Sequence, residues 1–342
     1  MSRARNISAL STVEVGATAD QTKADIDALG ISRGRNNLII NGGMNVKQRA
    51  DSHSTEGYGS LDRYTLGLSG GSATMSQEDL TLGQSAIPSR FRHYMKLNCT
   101  TGNNNCGFYH YIENPSELEG AYVLSFYAKG TNPAAGNFAL SVQSSYGTGG
   151  STGVNPHDGT LTVTSSWQRF TVAITFPSLT GKTVNDANGT TGINVRQGGS
   201  DTGTAAWALD ITGMQLETGS TATDFEHRSY GEELALCQRY YQKYGGVNDW
   251  SVGTSANYNG VNNYLGFPFI REMRAAPTGS WTNNTGWTVL NGGAALSSTN
   301  VVMGGITTNR AEMYFATSAM TTGNASWVRG SSSMYIYLNA EL

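Results

Sequence analysis

In F-R-H-Y-M-K-L (91–97), Phe91, His93, Met95 and Leu97 share one face, and Arg92, Tyr94 and Lys96 share the other. The same period of two aligns Tyr122, Leu124, Phe126 and Ala128 within 121–128, and Phe170, Val172, Ile174 and Phe176 within 167–176. A backbone that turns over at every residue is a strand, and an apolar parity means one buried sheet face. No alternation of strands with helices breaks the pattern. The expected fold is therefore all-β, a jelly-roll β-sandwich. His93, on the apolar parity, is expected to pack in a sheet rather than bind a ligand.

The strand W-A-L-D-I-T-G-M-Q-L-E (207–217) changes parity midway. Trp207, Leu209 and Ile211 have one parity, Met214 and Leu216 the other. Gly213 lies at the change, where a β-bulge resets the facing. A Gly/Ser/Thr turn follows, then a helix. Ser229 and Glu232 in S-Y-G-E form a capping box, Leu234, Cys237, Tyr241 and Tyr244 run along one side with Leu236 and Tyr240 adjoining, and Gly245 ends it. A helix over 229–245 is predicted, connecting two β-rich parts.

Glycine (43 residues) is abundant and charge (14%) is far below the usual fraction of about 25%. Such a composition suits tight turns and a surface of uncharged polar groups. The net charge of −3 supplies no field for a nucleic-acid backbone, so Arg3, Arg5, Lys23, Arg33 and Arg35 read as a solvated arm. No apolar run reaches the roughly 18 residues that span a bilayer, so no membrane insertion is expected. M-S-R-A-R-N-I-S-A-L lacks the apolar core of a secretion signal, which implies synthesis and folding in a cytoplasm. Cys99, Cys106 and Cys237 are too few for a disulfide framework. Cys99 and Cys106 flank a turn and could face each other across a hairpin; reduced, buried thiols are the expectation.

Four parts are predicted. Residues 1–35 form an arm with a short helix, capped by the box T-A-D-Q (Thr18–Gln21), carrying Thr22, Ile26 and Leu29 on one face and ending at Gly30. A helix of about three turns is marginal alone and needs a partner. Residues 36–228 form the jelly roll, beginning with a strand at Leu38-Ile39-Ile40 and the turn Asn41-Gly42-Gly43. Residues 229–245 are the connecting helix. Residues 246–342 form a second, smaller β domain. There Pro268 marks an edge or break in Y-L-G-F-P-F-I, E-M-Y-F (312–315) is a strand, and S-M-Y-I-Y-L-N-A-E-L (333–342) ties the C-terminus into a sheet.

No catalytic set emerges, and no enzyme activity is expected. G-G-S-T-G (149–153) has the letters of a nucleophile elbow but lacks the strand before and helix after that strain the serine. Asp186, Asn188 and Gly189 resemble part of a calcium loop without its distal glutamate, and read as a turn. No C-x-x-C occurs and the five histidines are scattered, so no zinc site is expected. Glu113, Glu117 and Glu119 show no paired pattern of the kind a glycosidase needs. No cofactor is expected, with a structural calcium left open. The polar loops of the C-terminal third carry Trp250, Tyr258, Tyr264, Trp281, Trp287 and Trp327. Rings that stack on the C–H face of a sugar, beside amides for its hydroxyls, suit glycan binding. Trp250, Tyr258, Trp281, Trp287 and Trp327 are the candidate ligand-binding residues.

N-L-I-I-N-G-G-M-N-V-K-Q-R (37–49), L-D-R-Y (61–64), L-S-F-Y-A-K-G (124–130), S-W-Q-R-F-T (166–171), I-T-G-M-Q-L-E-T-G-S-T-A-T-D-F-E (211–226) and L-C-Q-R-Y-Y (236–241) form an ordered series. It resembles tail-fibre and related virion proteins of tailed bacteriophages that carry a carbohydrate-binding-module-like jelly roll. The arm (14–31) looks like the N-terminal segments of marine phage fibre proteins. F-P-F-I-R-E-M-R-A-A-P-T (267–278) and Y-L-N-A-E-L (337–342) look like strands of a small terminal domain of such fibres. The resemblance implies a virion protein, a homotrimer. Its arm, through Thr22, Ile26 and Leu29, would attach to tail or head proteins or to other copies, and its distal part would recognise host surface polysaccharide or lipopolysaccharide. It supplies no catalytic residues. The chain has no heptads or collagen repeats, so a compact tailspike-like or head-attached appendage stays open. So do a decoration or adaptor without a ligand and, behind it, a capsule-degrading enzyme.

Overall fold

Two antiparallel sheets face each other across the larger of the two main cores among the described residues. This computed structural model describes residues 37–342 apart from positions 82, 84, 89, 104, 199–202, 293 and 319. The arm, with its capping box and Thr22, Ile26 and Leu29, lies outside the described residues. The first sheet has six strands in the order Ser52–His53, Ser72–Asp79, His93–Thr101, Trp207–Thr218, Gly120–Thr131 and Gln168–Phe176. The second has five, in the order Tyr64–Gly67, Gly107–Ile112, Thr190–Gln197, Phe138–Ser145 and Val154–Leu161. The chain crosses repeatedly from one sheet to the other, as a jelly roll requires. The alternating residues meet in between: Met95, Leu97, Leu124, Phe126, Ile174, Phe138, Leu140, Ile193 and Val195 are all buried in one cluster. His93 is half-buried on the six-stranded sheet, its Nδ1 2.9 Å from Asp79 Oδ1.

Gly213 does sit in a bulge. The register between 207–218 and 120–131 shifts between Thr212 and Gln215, and Gly213 has φ 65°, which a glycine adopts without strain. The shift lets Leu209, Ile211, Met214 and Leu216 all reach the interior. Residues 38–40 are not a ladder strand. They run beside the bulge, where Leu38 N donates to Leu216 O (2.9 Å) and Met214 N to Gly42 O (2.9 Å). A Cβ at Gly42 would lie 2.1 Å from Met214 O, so only glycine allows this approach.

The capping box at Ser229 is present: Ser229 Oγ accepts from Glu232 N (3.3 Å), and Glu232 Oε2 accepts from Ser229 N (2.9 Å). The helix is shorter than expected, spanning Tyr230–Gln238. Tyr241–Gly245 is instead a strand, paired antiparallel with Tyr335–Asn339 from Tyr241↔Asn339 to Gly245↔Tyr335. Aromatic residues fit strands at least as well as helices, and a partner strand decides between them. This three-stranded sheet, completed by Thr278–Trp281, packs on a seven-stranded one. The latter runs Ala294–Ser297, Thr288–Asn291, Ala325–Gly330, Trp250–Asn257, Asn262–Pro268, Arg310–Ala316 and Asn300–Gly304. Leu265, Phe267, Met313, Phe315, Val328, Ile336 and Leu338 fill the second core. Pro268 ends its strand.

Buried charge joins the two cores. Arg49 pairs with Asp62 (2.9 Å) and Glu341 (3.0 Å), and Arg63 pairs with Glu341. The Arg49 guanidinium lies 3.7 Å from the Tyr241 ring centre. Gln48 Nε2 donates to Tyr241 O (3.0 Å), and Asn41 N to Glu233 Oε1 (2.6 Å). Burial pushes Asp62 up to about 6 in spite of Arg49 beside it. The segments 37–49, 61–64 and 236–241 thus converge on one structural joint.

Candidate functional site

The outward parity of the five-stranded sheet builds a groove. On Gly107–Ile112 the inward residues are Phe108 and His110, which leaves Tyr109 and Tyr111 on the other face. On Thr190–Gln197, Ile193 and Val195 point inward, leaving Gly192, Asn194 and Arg196 on the other face, where Asn194 is itself buried beneath its neighbours. Register then sets neighbours: Tyr109 lies opposite Asn194 and Asn194 opposite Ser141, while Tyr111 lies opposite Gly192 and Gly192 opposite Gln143. Tyr109, Tyr111, Gln143, Asn155 and Asn194 line a cavity of about 400 Å³.

Two glycines let the tyrosine rings lie down on the sheet. A Cβ at Gly67 would come within 2.6 Å of the Tyr109 ring, and one at Gly192 within 3.1 Å of the Tyr111 ring. The rings are nearly parallel, with 6.3 Å between centres and 7° between planes. Arg196 Nε donates to Asn194 Oδ1 (3.1 Å), and Ser141 Oγ reaches the same oxygen at 3.4 Å, which holds the amide in place. Burial raises both tyrosine hydroxyls above their ordinary value of 10.0, so at neutral pH they are protonated donors. The surface thus offers two nearly parallel aromatic rings beside hydroxyls and amides.

The C-terminal candidates separate into two groups. Trp287 is a correction: it is fully buried, donates Nε1 to Asn283 O (2.7 Å), and stacks edge-on with Trp250 and Phe315, so it builds the core and meets no ligand. Trp250 and Trp281 are half-buried against that core, with Trp281 Nε1 donating to Asn284 Oδ1 (2.7 Å). Tyr258 (73% exposed) and Trp327 (46%) stand at the outer face of the seven-stranded sheet. The groove of Tyr109 and Tyr111 escaped sequence reasoning. Its signal is the outward parity of G-F-Y-H-Y-I and T-G-I-N-V-R, where aromatics and amides recur.

The segments weighed for catalysis serve as pins. Asp186 accepts from Ser116 N (3.2 Å), Asn188 Oδ1 from Thr148 N (2.9 Å), and Ser151 Oγ from Thr183 N (3.0 Å). Glu113 pairs with Arg239 (2.8 Å) and Arg274 (3.2 Å). Among the described residues no three His, Cys, Asp or Glu side chains are grouped to hold a metal. Cys99 and Cys106 are buried thiols with 3.9 Å between sulfurs. No helix among the described residues is long and apolar enough to cross a membrane.

No family model matches the sequence, and no curated protein does. Several solved structures are similar. The CBM22-1 xylan-binding domain from Paenibacillus barcinonensis Xyn10C is 14% identical over 50% of this chain and 94% of that one, with a TM-score of 0.29. TmCBM61, solved with β-1,4-galactotriose, is 12% identical over 55% and 100%, with a TM-score of 0.30. The family 11 carbohydrate-binding module of the cellulase Lic26A-Cel5E of Clostridium thermocellum is 14% identical over 58% and 100%, with a TM-score of 0.27. These TM-scores lie below 0.5, so the fold is assigned from the sheets themselves.

Proposed function

We propose that this chain is a non-enzymatic glycan-binding protein that holds an extended saccharide along the groove of its five-stranded sheet. The observation that carries this is the parallel pair Tyr109 and Tyr111, laid flat over glycines and flanked by Asn194 and Gln143. Sugar rings present apolar C–H faces to such rings and hydroxyls to the amides around them. Native electrophoresis in gels containing soluble polysaccharides tests it. At least one polysaccharide is expected to retard the wild type, and the Tyr109→Ala/Tyr111→Ala variant is expected to lose most of that retardation. An unaltered mobility of the double variant would sink the groove.

The biological setting within this proposal is a tailed-phage virion, where the chain acts as a receptor-binding appendage. The ordered motifs of residues 36–245 support that setting. The division into an arm (1–35), a jelly roll, a joint and a distal β domain belongs to the same proposal, as do a homotrimer and attachment through Thr22, Ile26 and Leu29. Weak sugar sites gain avidity when copies are held together, which fits a trimer that reads a repetitive host polysaccharide or lipopolysaccharide. Immunogold labelling of purified particles tests the setting. Label on a tail or surface appendage is expected, whereas absence from the virion overturns it. Label on particles whose adsorption does not need this protein makes it a decoration or adaptor.

A further inference from the structure

The outer face of the seven-stranded sheet carries an aromatic row that its own core does not require. Leu265, Phe267, Met313, Phe315 and Val328 fill the inward parity. On the outward parity Ala256, Tyr264, Tyr314 and Val302 fall in one register row. In a second row, Thr254 lies opposite Trp327, and Glu312 lies between Gly266 and Gly304. A Cβ at either glycine would meet nothing within 4 Å, so the sheet surface is bare on both sides of Glu312. Tyr264, Gly266, Arg310 and Glu312 line a cavity of about 270 Å³ there.

The rings on this face are held rather than loose. Trp327 Nε1 donates to Ser251 Oγ (2.5 Å), and the Arg329 guanidinium lies 5.6 Å from the ring centre. Tyr264 (40% exposed) stands between Tyr258 and Tyr314, with centres 5.7 and 5.2 Å away. Its large exposed groups are Tyr and Trp, each with an apolar body and a polar tip, and the charges of Arg310 and Glu312 sit beside them. A protein partner wants a continuous apolar centre from which charge is depleted. A saccharide wants separated ring faces with polar groups in reach.

We infer that this face is a second saccharide-binding site, independent of the groove, with Trp327 and Tyr264 as its stacking platforms and Arg310 and Glu312 as its hydroxyl partners. The chain would then carry two sugar-binding faces, on different sheets and over different cores.

The test uses the full chain in gels containing xylan, mixed-linkage β-glucan, galactan or purified lipopolysaccharide, with tryptophan emission recorded on titration of the same probes. Trp327→Ala and Tyr264→Ala are each expected to weaken retardation by roughly threefold or more, the loss of one stacking contact. Circular dichroism checks that each variant is folded. Among the described residues no tryptophan lines the groove. A ligand-induced emission change is therefore expected to persist in Tyr109→Ala/Tyr111→Ala and to vanish in Trp327→Ala. If only the groove variant loses retardation and the platform variants match the wild type, the second site is overturned and the groove stands. If only the platform variants lose it, the groove falls and this inference stands. If Trp327→Ala shifts the sedimentation coefficient without altering retardation, the face is a contact between copies and the inference is wrong. No retardation of the wild type by any probe overturns both.

Discussion

The Arg63 guanidinium lies 3.4 Å from the centre of the Tyr240 ring, and Arg63 is wholly buried. Its other contacts are the Glu341 carboxylate and the carbonyl of Tyr111, to which Nη2 donates at 2.6 Å. One buried cation therefore touches the joint, the last strand region and the backbone of a groove tyrosine.

Removing its counter-charge should be costly. An arginine left unpaired in such a site keeps its desolvation cost and loses its compensation, typically about 3–5 kcal/mol. Glu341→Ala is expected to lower stability by that order in urea unfolding. Arg63→Met/Glu341→Met should recover much of the loss, because apolar replacements remove the buried charge altogether. A double variant as unstable as the single one would argue that shape, not charge, holds the joint.

Acid sensitivity should trace in part to His110. Burial, then the charge of Arg63, hold its pKa well below the ordinary 6.5. Above pH 6.5 both folded and unfolded forms are neutral there, and the histidine costs nothing. As pH falls below 6.5 the unfolded chain takes up a proton that the folded chain refuses, so stability declines until the lowered folded pKa is reached. Relative to His110→Phe, the wild type is expected to lose stability as pH falls from about 6.5 to 5 in chemical denaturation series. A difference that does not vary with pH counts against a neutral, buried His110. Asp62, raised to about 6, has the opposite slope and cancels in this comparison.

A methyl group at Gly67 should disturb binding more than folding. Its Cβ meets the side-chain ring of Tyr109, which can swing away, at 2.6 Å; its nearest backbone neighbour, Asn105 O, is at 3.3 Å. Gly67→Ala is expected to weaken polysaccharide retardation by about 2- to 10-fold, the worth of one aromatic stacking contact. Its thermal midpoint should stay near that of the wild type. A large fall in the midpoint with full retardation would contradict the flat ring geometry.

Gly213→Ala should do the reverse. Its φ of 65° disfavours any L side chain, and the new methyl would lie 2.7 Å from the Phe91 ring. Strain of this kind, with crowding, costs about 1–3 kcal/mol. Denaturant midpoints are expected to fall accordingly, with groove affinity unchanged in the folded fraction. Stability equal to the wild type would mean that the bulge is not needed.

Period-two parity made the sandwich legible, and the parity change at Gly213 announced its bulge, because both are local properties of one strand. The end of the helix was not local. C-Q-R-Y-Y-Q-K-Y can offer an aromatic stripe to either geometry, and Tyr335–Asn339, far along the chain, settles the matter by pairing with Tyr241–Gly245. The same limit hid the groove. Parity shows that Tyr109 and Asn194 face outward, but only register makes them neighbours. Trp287 misled for the complementary reason: its polar loop context resembles a binding site, while burial depends on the sheets that close around it.

Arg63 and Glu341 are 278 residues apart in the chain. Synthesis therefore delivers the cation long before its counter-ion. While the ribosome completes the distal strands, the nascent jelly roll holds a guanidinium whose final partner does not yet exist. The ion pair between Arg63 and Glu341 can therefore close only after the residues of both cores have been made.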